Sequence, residues 1–512
     1  MKTLFTNIQG ISLEETQPHF SAMVVDGDTI EAMGSSDALG DWYTKGSVQV
    51  MDLGGKTVMP GFIDTHQHLE WTGQVLGSAD LTGCTCFAEA FDGIATHRKT
   101  LGTAEWVLAY RLNDQLVQEK RMPNTAELDA VCPDAPLAVF HTSLHFLSLN
   151  TMAIKALGVT GKMDGVDTEN GRMTGLVRDP ASLAFVMPQI DRMISKEAII
   201  KGYTLAARNA LKSGITSLHC LEGKDGEPEF SAFFHRHHQD LPLHTVHWNQ
   251  NRDVQSSLDL GLPRIGGCIF ADGAIDCYTA ALFEPYSNQP DNYGSLTFTQ
   301  AQMDEFICEA HAKGLQIAVH CEAEAAIEQV LHAMEKALAK YPRTDHRHRI
   351  EHLEVPTTTQ IERMAKAGII AAMQPAFFPY LMQDQTFYEQ MLGPSRHKRL
   401  HPYRTILDAG VVICGGSDSP VTPYTPLTGI QAAVCHPYAP ERVTLTEAIQ
   451  MFTTAAAYSV FEENERGCLK PGMKAEFIVL DRNPYQVEPQ DISKINIEKV
   501  FAKGKLYNTD NL

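Results

Sequence analysis

Two histidines in "GFIDTHQHLEW", His66 and His68, stand two residues apart at the end of an apolar run. On a β-strand, side chains at i and i+2 point to the same face, so both imidazoles can aim at one cation. Read alone, among 21 histidines, such a pair is as readily two ordinary surface or core imidazoles. What distinguishes it is where other ligand-type residues fall. His320 closes "LQIAV", His352 closes "HRIE" and Asp418 follows "VVICGGS", each at the C-terminal end of a strand-like run. Four imidazoles and a carboxylate suit Zn²⁺ or a similar divalent ion. Such an ion makes hydroxide available near neutral pH, and a neighbouring carboxylate can move the remaining proton. Asp418 is the candidate for that task, although "SDSP" is also a helix-start signal. The histidines of "HRHH" (235–238), with His346 and His348, sit in polar contexts that read as solvated surface.

Positioning these residues requires parallel strands whose C-terminal ends converge. Eight candidates occur: 58–64, 214–220, 241–248, 265–271, 315–321, 348–353, 368–374 and 410–417. Helical patterns at Lys196–Ser213, Thr299–Lys313 and Glu322–Lys340 alternate with several of them. Eight strands are what a (β/α)8 TIM-type barrel needs, with its active site at that rim. An open doubly wound sheet is the rival, but no Gly-rich phosphate loop follows the first strand. The stretch between the first two strands is too long for a loop, so residues about 72–195 read as an α/β insertion. Both ends are rich in short β runs with Gly and Pro turns, including an Asp26–Gly27 hairpin, which suggests a small sheet domain made from both termini. The expected division is 1–57 with 466–512 for that domain and 58–465 for the barrel.

Composition narrows the partners. The 512 residues carry 42 basic and 62 acidic side chains, a formal charge of −20. No basic stripe argues for nucleic acid or an anionic membrane surface, leaving a small molecule as the expected partner. Neither a secretory h-region nor a run of about 20 apolar residues is present, so a cytoplasmic protein is expected. The 11 scattered cysteines read as reduced thiols rather than a disulfide framework.

Taken together, these motifs resemble the amidohydrolase superfamily, and within it the amidohydrolase-3 branch of YtcJ-like proteins and N-substituted formamide deformylases. The resemblance covers nearly the whole chain. "VMPGFIDTHQHL" is similar to the first-strand motif, "GITSLH" to the second, "IFADGAIDCYTAAL" to the fourth, "AVHCEAEAAI" to the fifth, "HRIEHLE" to the sixth and "GGSDSPV" to the eighth. "HFLSLNTMAIKALG", with His145 and Asn150, is similar to a stretch of the insertion. The resemblance implies a (β/α)8 barrel with a small β-sandwich built from both termini. It implies His66, His68, His320 and His352 as ligands of one or two metal ions, Asp418 as ligand and proton shuttle, and hydrolysis of an amide, N-acyl, N-formyl or cyclic amide bond. A homodimer is expected by analogy.

Two departures stand out. Where relatives carry a lysine that bridges two metals after carboxylation, this chain has Cys268, either a thiolate ligand or a buried inert thiol. Where relatives have Gly-Asp after the fifth-strand histidine, it has Ala323–Glu324. Deaminases of the superfamily place a glutamate at the position of Ala323, so the deaminase reading is the weaker alternative. A barrel that has lost catalysis and only binds is the other; it should have lost one of the five ligands, and all five are here. Further candidates for substrate contact are His145, Arg178, Asp272 and Glu324, with Trp71, Phe377 and Phe378 as pocket walls or plain core.

Overall fold

The computed structural model describes residues 2–40, 48–102, 105–114, 116–142, 146–178 and 181–512. Eight parallel strands follow one another in chain order around a single sheet: β1 (Phe62–Gln67), β2 (Ile215–Glu222), β3 (His244–Asn249), β4 (Arg264–Phe270), β5 (Gln316–Ala323), β6 (Arg349–Val355), β7 (Ile370–Met373) and β8 (Ile413–Gly415). β1, β2, β5, β6 and β7 are buried along their whole length. That is why they lack the apolar–polar alternation of strands with one solvated face. The sheet curls until its ends meet just past β1 and β8. There Asp418 N–H donates to His66 O (2.7 Å) and His68 N–H to Ser419 O (2.9 Å). Helices Gln300–Ala312 and Thr358–Ala367 start at capping boxes, Thr299 with Gln302 and Thr357 with Gln360.

The run read as one strand at 58–64 is two. Val58 pairs with Val479 in a second sheet, the chain crosses at Gly61, and Phe62 pairs with Ile215 in the barrel. In that second sheet Val48–Pro60 lies between Lys2–Ile11 and Phe477–Leu480, so both chain ends share one hydrogen-bonded sheet. Phe5, Phe477 and Phe501 pack at its centre with ring centroids 5.0–5.9 Å apart. The sheet groups with the barrel in one compact unit, Met1–Leu69 with Ala207–Leu512.

A second compact unit comprises Glu70–Ala206. It has its own six-stranded mixed sheet, in the order Val166–Glu169, Arg172–Arg178, Phe146–Leu149, Leu137–His141, Val107–Leu112 and Ala79–Asp80. Two clusters of buried apolar residues flank that sheet, one around Phe140 and Leu147, the other around Leu128 and Leu137. Among the described residues no helix is long and apolar enough to cross a membrane.

Candidate metal centre

The ends of five barrel strands bring six ligand-type side chains together. His66 comes from β1 with His68 just beyond it, Cys268 from β4, His320 from β5, His352 from β6, and Asp418 from the turn after β8. Their donor atoms form three overlapping groups: His66, His68 and Cys268; Cys268, His320 and His352; His66, His352 and Asp418. Within each group all donor atoms lie within 4.8 Å of one another. Each pair of groups shares one residue: Cys268 the first two, His66 the first and third, His352 the second and third.

Local backbone chemistry puts these groups in place. Gly266 and Gly267, at φ 91° and 94°, precede Cys268 in a stretch where the β4–β5 register slips. Glycine tolerates these values, and the resulting bulge turns the thiol toward the centre. Gly416 lets the β8 end approach β1, since a Cβ there would lie 2.6 Å from His66 N. His352, Leu353 and Asp418 take φ values of 70°, 48° and 56° without being glycine. Such backbone is costly, persists only where the surroundings enforce it, and clusters at functional sites.

The imidazoles are oriented from behind. His66 Nδ1 lies 2.6 Å from Glu351 Oε2, His68 Nδ1 3.1 Å from Leu221 O, and His352 Nδ1 2.8 Å from Gln374 Oε1. With Nδ1–H donated outward, each Nε2 faces inward, the arrangement that fixes a ligand's tautomer. His320 is reversed: its Nε2 lies 3.3 Å from Gly273 O and its Nδ1 3.8 Å from Cys268 Sγ. Glu351 is itself held by Arg349 through bonds of 2.7 and 2.8 Å, and both side chains are fully buried.

The donor set fits a divalent cation. His66 Nε2, His352 Nε2 and Asp418 Oδ1 are buried and have no hydrogen-bond partner among the described residues. Buried polar atoms of this kind are rare and call for an explanation. Asp418 Oδ1 stands 3.3 Å from His66 Nε2 and 3.2 Å from His68 Nε2. Imidazole nitrogen, thiolate sulfur and carboxylate oxygen together are the ligand chemistry of zinc.

The electrostatics agree. Burial alone would push the Cys268 thiol up, but His320, His352, His66 and His68 around it hold it well below the usual thiol range. Burial likewise opposes ionisation of Asp418, yet His66, His68 and His352 keep its carboxyl well below the usual carboxylate range. Against its own burial, His68 is raised to about 10 by Asp418 and Cys268. A thiolate and a carboxylate are thus buried together and demand positive charge. Protonated imidazoles or a divalent cation would supply that charge.

The remaining candidates occupy different surroundings. No helix starts at Asp418; the next is Pro426–Val434, and the Asp418 side chain faces His66 and His68. Asp272 accepts from the backbone N–H of Ala281, Glu322 and Ala323 at 2.9–3.1 Å and lies 3.5 Å from His320 Nε2. Burial pushes its carboxyl up to about 6. Its bonds pin the 272–281 segment onto β5. Glu324 is paired with Arg399 and also accepts from Phe283 N–H, so its carboxylate is already engaged. Arg178 lies in the second unit, exposed, with its guanidinium 4.9 Å from the Phe146 ring centroid. His145 falls outside the described residues. Trp71 packs, partly buried, against the second unit's core, and Phe377 lies 6.2 Å from the His352 ring.

One expectation fails plainly. His346 and His348 are buried, not solvated, and His238 is buried as well. His311 donates from Nε2 to Tyr341 O (2.7 Å), which leaves its Nδ1 to accept from His348 Nε2 (2.9 Å). His348 Nδ1 in turn accepts from Ile317 N–H, and His346 donates to Ala367 O. Polar flanking residues concealed this closed network. Sequence reasoning also missed Arg349, Glu351 and Gln374. The available signal was charge inside an otherwise apolar strand, "RIEHLE".

Comparison with known proteins places this geometry in context. A model of the Amidohydrolase family matches residues 49–507. The YtcJ protein of Bacillus subtilis (strain 168), named as an amidohydrolase, is 27% identical over 95% of each chain. The N-substituted formamide deformylase of Arthrobacter pascens is 25% identical over 95% of this chain and 94% of its own. The crystal structure of an uncharacterized metal-dependent hydrolase from Pyrococcus furiosus superposes with a TM-score of 0.80, at 24% identity, over 96% of this chain and 100% of that one.

Proposed function

We propose that this chain, which belongs to the amidohydrolase family, hydrolyses a non-peptide C–N bond of a small molecule, an amide, N-acyl, N-formyl or cyclic amide, at a centre of two zinc ions that His66, His68, Cys268, His320, His352 and Asp418 would hold. The observation that carries this reading is the convergence of these donors in three overlapping groups. A divalent ion held there lowers the pKa of a water it binds to about 7.

The protein's own groups supply the rest. Asp418, held anionic with Oδ1 facing His66 and His68, accepts the proton released as water adds to the carbonyl carbon. It returns that proton to the nitrogen as the C–N bond breaks, so the amine leaves neutral. Glu351, Leu221 O and Gln374 hold three imidazoles in one tautomer throughout. The commitment of Glu324 to Arg399, with alanine at 323, supports amide hydrolysis over deamination.

The test is metal analysis of protein purified without added metal, together with a screen of N-formyl and N-acyl amines. Two zinc ions per chain with turnover of such an amide support the reading. No metal after reconstitution, or deamination in place of amide hydrolysis, refutes it.

A further inference from the structure

Near His352, four side chains from the barrel unit hold polar atoms without a hydrogen-bond partner among the described residues. Gln374, His401 and Tyr403 are 0% exposed and Glu354 is 2% exposed. Gln374 Nε2, both ring nitrogens of His401, Tyr403 OH and Glu354 Oε2 all lack a hydrogen-bond partner. More than nine in ten buried polar groups are normally partnered, so five bare atoms in one cluster need a cause.

Glu354, His401 and Tyr403 adjoin one another, and Gln374, just past the strand next to that of Glu354, adjoins the metal centre through His352. Gln374 Oε1 takes the His352 Nδ1 proton at 2.8 Å, which leaves its NH₂ unused. The His401 ring lies 5.2 Å from Phe378 and 6.3 Å from Phe377, and Phe377 in turn lies 6.2 Å from His352. His401 Nε2 is 3.9 Å from Glu354 Oε1, beyond hydrogen-bond reach, and the Tyr403 ring is 5.9 Å from that of His401. The backbone makes the same point independently. His401 sits at φ 50°, fixed by its N–H donating to Glu354 O at 2.7 Å. It thereby joins His352, Leu353 and Asp418 among the strained residues of this rim.

We propose that Gln374, His401, Tyr403 and Glu354 form a substrate subsite beside the metal centre that takes an uncharged group able both to donate and to accept hydrogen bonds, a hydroxyl or primary carboxamide. This rests on the hydrolase reading above. The donor inventory sets the class. Gln374 NH₂ only donates, while Tyr403 OH and the imidazole of His401 can each donate and accept. None of the four is a lysine or arginine, so an anionic group meets no counter-charge. A hydrocarbon group would leave all five atoms unpaired, and a site built to bond a hydroxyl rejects the analogue lacking it far more strongly than a greasy pocket rejects an extra one.

The experiment uses full-length, zinc-loaded protein and two matched pairs: N-formylethanolamine against N-formylpropylamine, and glycolanilide against propionanilide. In the wild type, the hydroxyl member of one pair should lead by at least tenfold in kcat/KM, chiefly through KM. Tyr403→Phe should cut that ratio at least tenfold. It should leave zinc content unchanged and the melting temperature equal or higher, because the hydroxyl has no partner among the described residues. His401→Asn, which tolerates the left-handed backbone, should cut the ratio as well. An absent preference, no turnover of either pair, or ratios unmoved in both variants overturns the subsite. A lower melting temperature in Tyr403→Phe with an unmoved ratio does so too, by identifying a hydrated structural pocket. Failure of the underlying reading would look different: no zinc bound and no N-acyl compound of a broad panel hydrolysed.

Discussion

Replacing Glu351 by leucine should damage the fold and the metal centre by separable routes. The carboxylate has two duties: it neutralises Arg349 through bonds of 2.7 and 2.8 Å, and it takes the His66 Nδ1 proton at 2.6 Å. Its removal strands a fully buried guanidinium, which costs about 3–5 kcal/mol. Arg349 keeps Thr65 O and His219 Nδ1 as partners, which favours the lower end. Loss of an outer hydrogen-bond partner typically weakens metal binding by about 10–100-fold, which is about 1.4–2.7 kcal/mol. The two effects come apart in a cycle with Arg349→Met. The double variant has no stranded charge, so its stability should recover to within about 1 kcal/mol of wild type. Its zinc affinity should stay low, because His66 still lacks its acceptor. Stability is best read from hydrogen exchange at the β6 amides, since the chain comprises two compact units. Affinity is read by competition with a chelator on metal-stripped protein. Recovery of zinc affinity in the double variant would show that Glu351 acts only by neutralising Arg349, and the orientation argument would fall.

Three other predictions follow from the same geometry. Asp418→Asn should keep most of the zinc and lose about 10²–10⁴-fold in kcat; near-normal turnover would remove Asp418 from proton transfer. Cys268→Ala should lower zinc from two ions per chain to one or fewer, and unchanged stoichiometry would return the thiol to the core. The third concerns His311, His346 and His348, whose pKa values burial pushes down, that of His348 well below the ordinary imidazole value. The unfolded chain therefore binds more protons below about pH 6.5, so the stabilisation these neutral rings provide is complete above that pH and is lost as pH falls. His348→Gln should be less stable at pH 7.5, but its stability should fall less steeply below about pH 6, by about 1.4 kcal/mol per pH unit. Parallel pH curves for variant and wild type would contradict the neutral-network assignment.

What the sequence disclosed depended on whether a residue's role was local. His66, His68, His320, His352 and Asp418 stand at the ends of apolar runs, and a barrel puts all such ends at one rim. Periodicity therefore located them without any tertiary knowledge. The helix expected from Glu322 begins only at Glu324 because β5 continues through Ala323. An apolar strand end and an alanine-rich helix start carry no punctuation between them. The 58–64 run hid two strands for a related reason: both sides of Gly61 are buried, but in different sheets. Cys268 drew attention only through the resemblance, since a thiol in an apolar run reads as core. Arg349 and Glu351 pair two residues apart, and charge inside a strand marks them, but the other partner of Glu351 and the partner of His311 lie 285 and 37 residues away, which no local pattern reports.

The hydrogen bonds that close the barrel join residue 66 to 418 and residue 68 to 419. The hoop is clasped by the same short segments that carry His66, His68 and Asp418. Loading the centre should therefore tighten the clasp, and opening the clasp should eject the load, since a cation that binds only the closed form stabilises it by mass action. The amide protons of His68 and Asp418 become built-in gauges of occupancy: their exchange with solvent should slow as zinc is titrated in, while amides of Glu70–Ala206 keep their rates.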